Sequence, residues 1–255
     1  MGRTVTRLAG TFIDRWYVTL FGLSFLWFAI RHMGWKRTLV YTIAAVGVGI
    51  AAENGSVHLG FPYTRYAFDE SLRAGELWVW DVPLMVPLSY TFVVYFAFAA
   101  GRMVASGPWS TRARRPWTEL VMAELLAVWS LFVIDPVSRL GELFYLGPLF
   151  AYEGPGFWFG LPLGSQLGFA LTSGILIAVL GWLTRRDPRL PVTPRNHPHL
   201  AALITYVVQL AHMGVVAFVV GRPDIGGASL VVFLPIAVAV GIGWANSRPH
   251  EATVG

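Results

Sequence analysis

The chain has 255 residues, of which 55% are hydrophobic and only 13% are charged. A soluble domain carries about 25% charged residues, so this composition excludes a soluble enzyme, a disordered chain and a soluble nucleic-acid-binding domain. The net charge of +5 is interpreted as loop charge that orients a membrane protein, with no nucleic-acid partner. Cysteine is absent, which excludes disulfides, thiolate metal sites and thiol nucleophiles.

Apolar segments long enough to cross about 30 Å of hydrocarbon recur along the chain. They predict an all-α fold, a polytopic transmembrane helical bundle of about seven spans that forms one integral membrane domain over residues 1–255. Residues 1–15 are expected to be an interfacial segment and residues 247–255 a C-terminal tail. The predicted spans are 16–33, 38–54, 79–105, 117–135, 160–183, 199–221 and 227–246.

The basic residues are unevenly shared between the two sides of this predicted bundle. Twelve of the 19 fall on one side, which the positive-inside rule assigns to the cytoplasm. With seven spans, the N-terminus is then expected outside and the C-terminus inside, in a bacterial cytoplasmic membrane.

The two predicted outer loops, residues 55–78 and 136–159, are rich in Phe, Tyr, Trp, Gly and Pro. Such segments lie at the membrane interface or fold back over the bundle. Their rings form either an interfacial belt or the wall of a site, and the carboxylates beside them favour a site. The aromatic candidates for substrate binding are Phe61, Tyr63, Tyr66, Trp78, Trp80, Tyr145 and Trp158.

Carboxylates within or beside the spans are the catalytic candidates, because a charge inside a membrane is costly and by default marks function. Glu53, Asp81 and Asp135 fall at the outer ends of their predicted helices and therefore share a layer under the aromatic loops. Asp81 also fits an ordinary helix N-cap. Glu119, near the cytoplasmic end, is expected to be a surface residue.

Three further polar residues are candidates for a proton relay. Glu124 is eleven residues before Asp135, which places the two on one helix face, about 16 Å apart. Gln209 and His212 share a face of the sixth predicted span, where a buried interhelical hydrogen bond is the alternative to proton shuttling.

Motifs of several other membrane enzymes are missing from the sequence. The one lysine, Lys36, lies between the first two predicted spans, whereas a retinal protein needs a lysine in its last helix. The six His residues do not form the boxes that hold two irons, and neither an Asp-rich cluster nor a glycine-rich phosphate loop occurs. We therefore expect no cofactor and no metal.

Carboxyl groups and aromatic rings in an apolar bundle suit one kind of chemistry. A carboxylic acid protonates an isoprenoid double bond, and aromatic faces stabilise the tertiary carbocation that results. Water or an internal double bond then attacks the cation. Burial disfavours the charged form of a carboxyl group, which keeps such an acid protonated near neutral pH.

A short internal repeat brackets both outer loops. The second predicted span ends at Glu53, and an aromatic loop leads to Val82-Pro83-Leu84; the fourth ends at Asp135, and a similar loop leads to Leu161-Pro162-Leu163. The two helix pairs would run in the same direction, which indicates an old duplication.

Two stretches of sequence resemble a known family. The first is Ala52-Glu53, then His58-Leu59-Gly60-Phe61-Pro62-Tyr63-Thr64-Arg65-Tyr66 and Val82-Pro83-Leu84; the second is Asp135-Pro136, then Tyr152-Glu153-Gly154 and Gly160-Leu161-Pro162-Leu163. They resemble the carotenoid biosynthesis membrane proteins that include bisanhydrobacterioruberin hydratase and the related carotenoid 1,2-hydratases. The resemblance covers roughly residues 40–185.

The resemblance implies that water adds to the terminal double bond of a long acyclic carotenoid and gives a tertiary alcohol. By matching motif positions it also implies Glu53, Arg65, Tyr66 and Asp135 as the site. The chain departs from the family pattern at Thr64, at Ser165-Gln166, and at Tyr90 and Phe169, where the family often has Trp. These departures bear on the substrate and on the outcome of the reaction.

Hydration through an acid and a carbocation, without a cofactor, is the leading hypothesis, with a lipid-soluble polyene or polyprenyl substrate. Membrane lipids and other enzymes of the pathway are the expected partners. Ser165 and Gln166 could hold the water that distinguishes hydration from ring closure by a membrane cyclase. A proton-coupled transporter that uses Glu53, Glu124 and Asp135 as a relay and a structural subunit without chemistry are further alternatives.

Overall fold

The computed structural model describes residues 2–106, 116–144, 148–185 and 198–246. In these ranges the helices are α1 (Gly2–Ala9), α2 (Trp16–Leu59), α3 (Met85–Ser106), α4 (Pro116–Ser138), α5 (Leu163–Thr184), α6 (Pro198–Val219) and α7 (Pro223–Asn246). The strands are β1 (Tyr66–Phe68), β2 (Trp78–Val79), β3 (Val82–Pro83) and β4 (Phe150–Tyr152). A π-helical turn, Gly10–Asp14, and two 3-10 turns, Glu70–Ala74 and Gly141–Leu143, lie between them.

The fold is an all-α helical bundle of an integral membrane protein, as the composition predicted. Within the described ranges, five helices are long and apolar enough to cross a membrane: α2, α3, α4, α5 and α6. Helix α7 contributes a shorter apolar stretch, Pro223–Val238.

Helix α2 folds back on itself at Gly34, which has φ of 79° and ψ of 159°. The rings of Phe25 and Tyr41 are 5.8 Å apart. Sixteen residues of straight helix would instead separate them by about 24 Å. The 44 residues of α2 are therefore a helical hairpin, whose two arms correspond to the first two predicted spans.

Helix α3 is the centre of the bundle. It packs against α2, α4, α5, α6 and α7, and every residue from Thr91 to Gly101 is buried. A Cβ atom on Gly101 would lie 2.4 Å from the backbone nitrogen of Ala123, so the two helices touch here through their backbones. A helix that is apolar on all sides fits only such an enclosed position.

The expectation that Glu119 is a surface residue is wrong. Its carboxylate is buried and lies 3.4 Å from Nε of Arg102. Arg102 in turn contacts Nε2 of His32 at 3.2 Å. A buried carboxylate near the end of a span needs such a cationic partner, which hydropathy alone does not reveal.

Helix α5 shows how the bundle faces lipid. Its exposed positions recur every four residues and are apolar, whereas its buried face carries polar groups, among them Ser165, Gln166, Thr172 and Ser173. The exposed residues of this stripe are Leu163, Leu167, Leu171 and Ile175.

The two aromatic loops meet in a small antiparallel sheet of β1 and β4, in which Tyr66 stands opposite Tyr152. A second pairing, Trp78 with Pro83, makes a tight hairpin of β2 and β3. The predicted third span, 79–105, therefore begins too early, because residues 79–83 belong to this hairpin and α3 begins at Met85. The fifth predicted span, 160–183, begins three residues before α5.

The structure supports the internal repeat. Trp80 lies two residues before Val82-Pro83, and Phe159 lies two residues before Leu161-Pro162. Both have positive φ angles, 55° and 46° respectively. Tyr90 and Phe169 each lie seven residues after the proline of their motif. Their rings pack at an interplanar angle of 51°, with centroids 6.0 Å apart. Equivalent residues of the two halves thus meet in the middle of the bundle.

The segment before α2 packs against the first aromatic loop. A Cβ atom on Gly10 would lie 2.1 Å from the carbonyl oxygen of Gly75, so only glycine allows this approach. Close by, the backbone N–H of Leu77 donates to Oγ1 of Thr11 at 2.8 Å. This packing brings the beginning of α2 beside the residues that precede β2.

Candidate active site

Glu53 is the centre of a buried hydrogen-bond network. It lies in α2, less than two turns before the helix ends at Leu59, and its side chain is buried. The hydroxyl of Tyr90 donates to Oε1 at 2.5 Å. The hydroxyl of Tyr66 donates to Oε2. Both oxygens therefore accept a hydrogen bond from a tyrosine, and these bonds stabilise the carboxylate form against the opposing effect of burial.

The network continues to a third tyrosine. Because the hydroxyl of Tyr90 donates to Glu53, it accepts the hydrogen bond that it shares with Tyr63. The hydroxyl of Tyr63 also contacts Oγ1 of Thr172 on α5 at 3.0 Å. Burial raises the pKa of Tyr63 well above its usual value, so this hydroxyl keeps its proton and remains a donor.

Local packing fixes the position of Tyr63. Its backbone N–H donates to Oγ of Ser56 at 3.0 Å, which ties the loop to the last turns of α2. On the other side, a Cβ atom on Gly168 would lie 2.4 Å from the carbonyl oxygen of Pro62. A glycine at this point of α5 thus lets the loop enter the bundle.

Asp135 has a different environment from Glu53. It lies in the last turn of α4, is half-buried, and accepts no hydrogen bond from any residue that the structure describes. The charge of Arg139, one turn later, acts on this carboxyl without a hydrogen bond to it. Nη1 of Arg139 donates instead to the carbonyl of Phe159 at 3.3 Å, and its guanidinium lies over the ring of Tyr152 at 5.0 Å. Of the two carboxyl groups, that of Asp135 is therefore the one that receives no hydrogen bond from the described residues.

Tyr152 and Ser165 form a second polar group at the site. The hydroxyl of Tyr152, on β4, and Oγ of Ser165, on α5, lie 2.6 Å apart. Burial raises the pKa of Tyr152. The ring of Tyr152 packs edge-on against Tyr66 with centroids 5.3 Å apart. The paired strands thus place one tyrosine on Glu53 and the other on Ser165.

The two carboxyl groups, the three tyrosines of the Glu53 network and the Tyr152–Ser165 pair line one cavity, whose empty volume including its open mouth is about 1120 Å³. Both Glu53 and Asp135 are on its wall, together with Tyr63, Tyr66 and Tyr90. Most of the remaining wall is apolar or aromatic, which strengthens electrostatic effects inside it. The apolar and aromatic members of the wall include Tyr17, Val18, Phe21, Phe68, Pro83, Met85, Val86, Phe92, Val93, Leu131, Ile134, Leu149, Phe150, Tyr152, Phe169 and Met213.

The cavity brings together six of the residues that the sequence analysis selected: Glu53, Asp135, Tyr63, Tyr66, Ser165 and Gln209. Their side chains come from α2, the loop after it, β1, α4, α5 and α6. Of the three carboxylates that were predicted to share a layer beneath the aromatic loops, Glu53 and Asp135 line this cavity. Each comes from a different half of the repeat.

Asp81 lies apart from this cavity wall. It sits in the turn between β2 and β3, its side chain is 42% exposed, and it pairs with Arg73 and with Nε2 of His58, the latter at 3.1 Å. It does not cap α3, which begins four residues later. Arg65 is also exposed and donates to the carbonyl of His58 at 2.7 Å.

Several of the selected rings also lie outside the cavity wall. Phe61 and Trp80 are exposed, and the guanidinium of Arg73 lies 4.2 Å from the centre of the Trp78 ring. Tyr145 lies outside the described residues.

Trp158 stabilises a helix end. Pro136 has no N–H, so the carbonyl of Phe132, four residues earlier, lacks its helical donor. The indole N–H of Trp158 donates to that carbonyl at 3.0 Å. The ring of Trp158 also packs against Phe132, with centroids 5.8 Å apart.

The remaining candidates are buried or half-buried beyond the cavity wall. Oγ of Ser173 donates to Oε1 of Glu124 at 2.8 Å between α5 and α4. The ring of His212 packs beside Tyr17, with centroids 5.7 Å apart. Gln166 is buried, and its amide has no hydrogen-bond partner in the described part of the chain. Of the three candidates for a proton relay, Glu124, Gln209 and His212, only Gln209 lines the cavity.

The predicted site residues did not include Tyr90, Phe169, Tyr152, Arg15 and Glu76, all of which line the cavity. The sequence did contain features that could have identified Tyr90, Phe169 and Tyr152 as site residues. Tyr90 and Phe169 are departures from the family pattern and occupy equivalent repeat positions, and Tyr152 belongs to the second motif. Arg15 was counted only as a loop charge, and Glu76 had no signal.

A comparison with protein families matches residues 14–241 of the chain to a family described as carotenoid biosynthesis protein. This match covers the bundle and both aromatic loops, and the resemblance seen in the two motifs is confirmed at this level. No curated protein and no solved structure matches the chain.

Proposed function

We propose a function that starts from the family: the chain belongs to the carotenoid biosynthesis proteins, and it adds water to a terminal isoprenoid double bond of an acyclic carotenoid. One observation carries the proposal. Two carboxyl groups with opposite hydrogen-bond environments line a single aromatic cavity within a membrane bundle.

Asp135 is the proton donor in this proposal. A carboxyl group in apolar surroundings without hydrogen-bond donors favours its neutral form, and Asp135 accepts none from the described residues. Its proton is transferred to the less substituted carbon of the double bond. The C=C π electrons form the new C–H bond, and the positive charge is left on the tertiary carbon.

Ring faces of the cavity stabilise this cation. Tyr66 and Tyr152 from the paired strands and Phe169 from α5 line the same space as the two carboxyl groups. Aromatic faces attract a cation most strongly where water is excluded. The neighbouring Glu53 carboxylate adds a negative charge, and its two tyrosine donors prevent it from moving toward the cation.

Water then completes the reaction. The Tyr152 and Ser165 hydroxyls offer the water molecule hydrogen-bond partners on the cavity wall. The water oxygen bonds to the tertiary carbon and passes a proton to Glu53, which leaves a tertiary alcohol. Return of that proton to Asp135 restores both groups, so the sum is alkene plus water to alcohol.

The test is expression in cells that accumulate an acyclic carotenoid, followed by mass measurement of the pigments. A gain of one water supports the proposal. An isomer of unchanged mass would show ring closure from the same cation, and no change with any acyclic polyene would favour a transporter.

Three variants make this test specific to the site. Asp135→Asn and Glu53→Gln keep the shape of each side chain but cannot exchange the proton, and loss of such a group costs about 10²–10⁴ in rate. The matched control is Glu124→Gln on α4, which bonds Ser173 away from the cavity wall. Native turnover by both site variants would contradict the assigned roles.

A further inference from the structure

The turns that precede α3 and α5 are built in the same way in the two halves of the repeat. Nη1 of Arg73 donates to the carbonyl of Trp80 at 3.2 Å. Nη1 of Arg139 donates to the carbonyl of Phe159 at 3.3 Å. Both carbonyls belong to the residue with a positive φ angle, and each guanidinium also lies over an aromatic ring of its own half. The two arginines therefore hold the two turns in equivalent ways.

The charges of these two arginines have different surroundings. Arg73 forms ion pairs with Asp81 and with Glu70. The repeat position that corresponds to Asp81 is Gly160, since each lies two residues before the proline of its motif. Arg139 forms no ion pair with any residue that the structure describes. The charge of the first arginine is therefore neutralised, and that of the second is not.

The unneutralised charge lies beside the proposed proton donor. Arg139 follows Asp135 by one helical turn, which places their Cβ atoms about 5–6 Å apart, and its charge acts on that carboxyl. Asp135 lines the cavity, and so does Tyr152, whose ring the guanidinium covers, whereas Arg139 itself does not. The guanidinium thus acts on the carboxyl from outside the space in which the carbocation forms.

Proton transfer changes the interaction between Arg139 and Asp135. A neutral carboxyl group interacts weakly with the guanidinium, whereas the carboxylate left after the transfer is attracted to it. An interaction that is stronger in the transition state than in the ground state accelerates the chemical step. A carboxylate at position 160 would cancel this effect, in the way that Asp81 cancels the charge of Arg73.

We propose that Arg139 is a positioning residue that acts through Asp135, because its unneutralised charge stabilises the carboxylate that proton transfer leaves behind. The proposal rests on the proposed function for the role of Asp135 as the proton donor. It gives the difference between the two repeat halves a catalytic meaning: Arg73 only holds its turn, whereas Arg139 holds its turn and assists the acid.

The test measures proton transfer itself. The purified protein is incubated with an acyclic polyene in deuterated water, and mass spectrometry follows carbon-bound deuterium in the recovered polyene and in every product. This uptake reports protonation whether water addition, ring closure or proton loss follows.

Arg139→Gln keeps an N–H donor for the turn but removes the charge. Its maximal rate of deuterium uptake is expected to fall by about 10- to 100-fold, the effect of one charge at this distance in a medium of effective dielectric constant about 20. The polyene concentration that gives half the maximal rate should stay the same.

Three further variants separate charge from structure. Arg139→Lys keeps the charge and should restore most of the rate. Gly160→Asp supplies the carboxylate of the first half at a position where aspartate tolerates a positive φ angle. It should lower the rate although Arg139 is present, and it decides the matter if Arg139→Gln does not fold. The matched control is Arg73→Gln, which removes the same contact from the other turn and should keep nearly the native rate.

Equal losses of rate in Arg139→Gln and Arg73→Gln would overturn the inference, since both arginines would then only hold their turns. No restoration of rate in Arg139→Lys would also overturn it. Deuterium uptake with the expected order of variants, but without addition of oxygen, would overturn hydration alone. Native uptake by Asp135→Asn, or no uptake by the native protein with any acyclic polyene, would overturn both proposals.

Discussion

Tyr66 and Tyr152 stand opposite each other in the antiparallel pairing of β1 and β4, with ring centroids 5.3 Å apart. The hydroxyl of Tyr66 donates to Glu53, and the hydroxyl of Tyr152 lies 2.6 Å from Oγ of Ser165. One strand pair thus joins the loops of the two repeat halves and sets a ring from each half on the wall of the cavity. Neither half alone contains both carboxyl groups.

Tyr66 supplies both a ring and a hydroxyl, and two substitutions separate them. Tyr66→Phe keeps the ring but removes a donor to Glu53, so the rate should fall while the product stays the same. Tyr66→Leu also removes about 1–2 kcal/mol of cation stabilisation, a further loss of about tenfold or more. Double-bond isomers should then increase, because a less protected cation loses a proton before water attacks. Chromatography of the products at matched expression measures both effects, and identical product profiles for the two variants would contradict a role for the ring.

Tyr90 should matter through its hydroxyl. Tyr90→Phe leaves Glu53 with one tyrosine donor and breaks the chain to Tyr63, so turnover should fall by about 10- to 100-fold, the usual effect of a hydrogen bond to a charged group. Tyr206→Phe is the matched control, since this buried tyrosine donates to the carbonyl of Leu126 beyond the cavity wall. Initial rates with one polyene decide the comparison. Equal losses in both variants would indicate a general packing effect.

Trp158 is expected to affect stability and not product identity. In Trp158→Leu the carbonyl of Phe132 loses its donor beside Pro136, which should cost about 1–3 kcal/mol of stability. Thermal unfolding in detergent and the product profile are measured on the same preparation. A changed product profile with unchanged stability would place Trp158 at the reacting cation instead.

The backbone contact of α3 and α4 gives a prediction about the fold. Gly101→Ala would push a methyl group to within 2.4 Å of the Ala123 nitrogen, and overpacking of this kind costs about 1–3 kcal/mol. Gly47→Ala in α2 is the control, because a Cβ atom there meets nothing within 4 Å. The midpoint of thermal unfolding should drop only for Gly101→Ala. Equal midpoints for the two variants would show that α3 and α4 can move apart to accommodate the methyl group without loss of stability.

Hydropathy predicted the spans well because lipid imposes length and apolarity on each helix. The hairpin of α2 was predicted as two spans, since Arg31, Lys36 and Arg37 interrupt the apolar run at its tip. The start of α3 was not predicted. Trp78 to Pro83 are apolar enough to resemble a span, and their pairing into β2 and β3 depends on a turn that has no strong residue signal.

The site was only partly predictable for a related reason. Glu53 and Asp135 stood out because a carboxylate within a span is rare. Asp81 was also selected, although it fitted an ordinary helix cap, and it lies in the turn between β2 and β3. The abundance of aromatic residues in the loops could not distinguish Tyr63 and Tyr66, which line the cavity, from Trp80, which is exposed on the surface. The pairing of Arg15 with Glu76 depends on how the N-terminal segment packs, and no spacing in the sequence encodes it.

The central claim is that a proton and a water molecule add across a double bond within this cavity. The most direct measurement is turnover of an acyclic polyene by the purified protein in deuterated water labelled with heavy oxygen. We predict a tertiary alcohol that carries one heavy oxygen and one carbon-bound deuterium, and no such product from Asp135→Asn. An alcohol oxygen taken from dissolved O₂, or an alcohol without deuterium on carbon, would contradict the account.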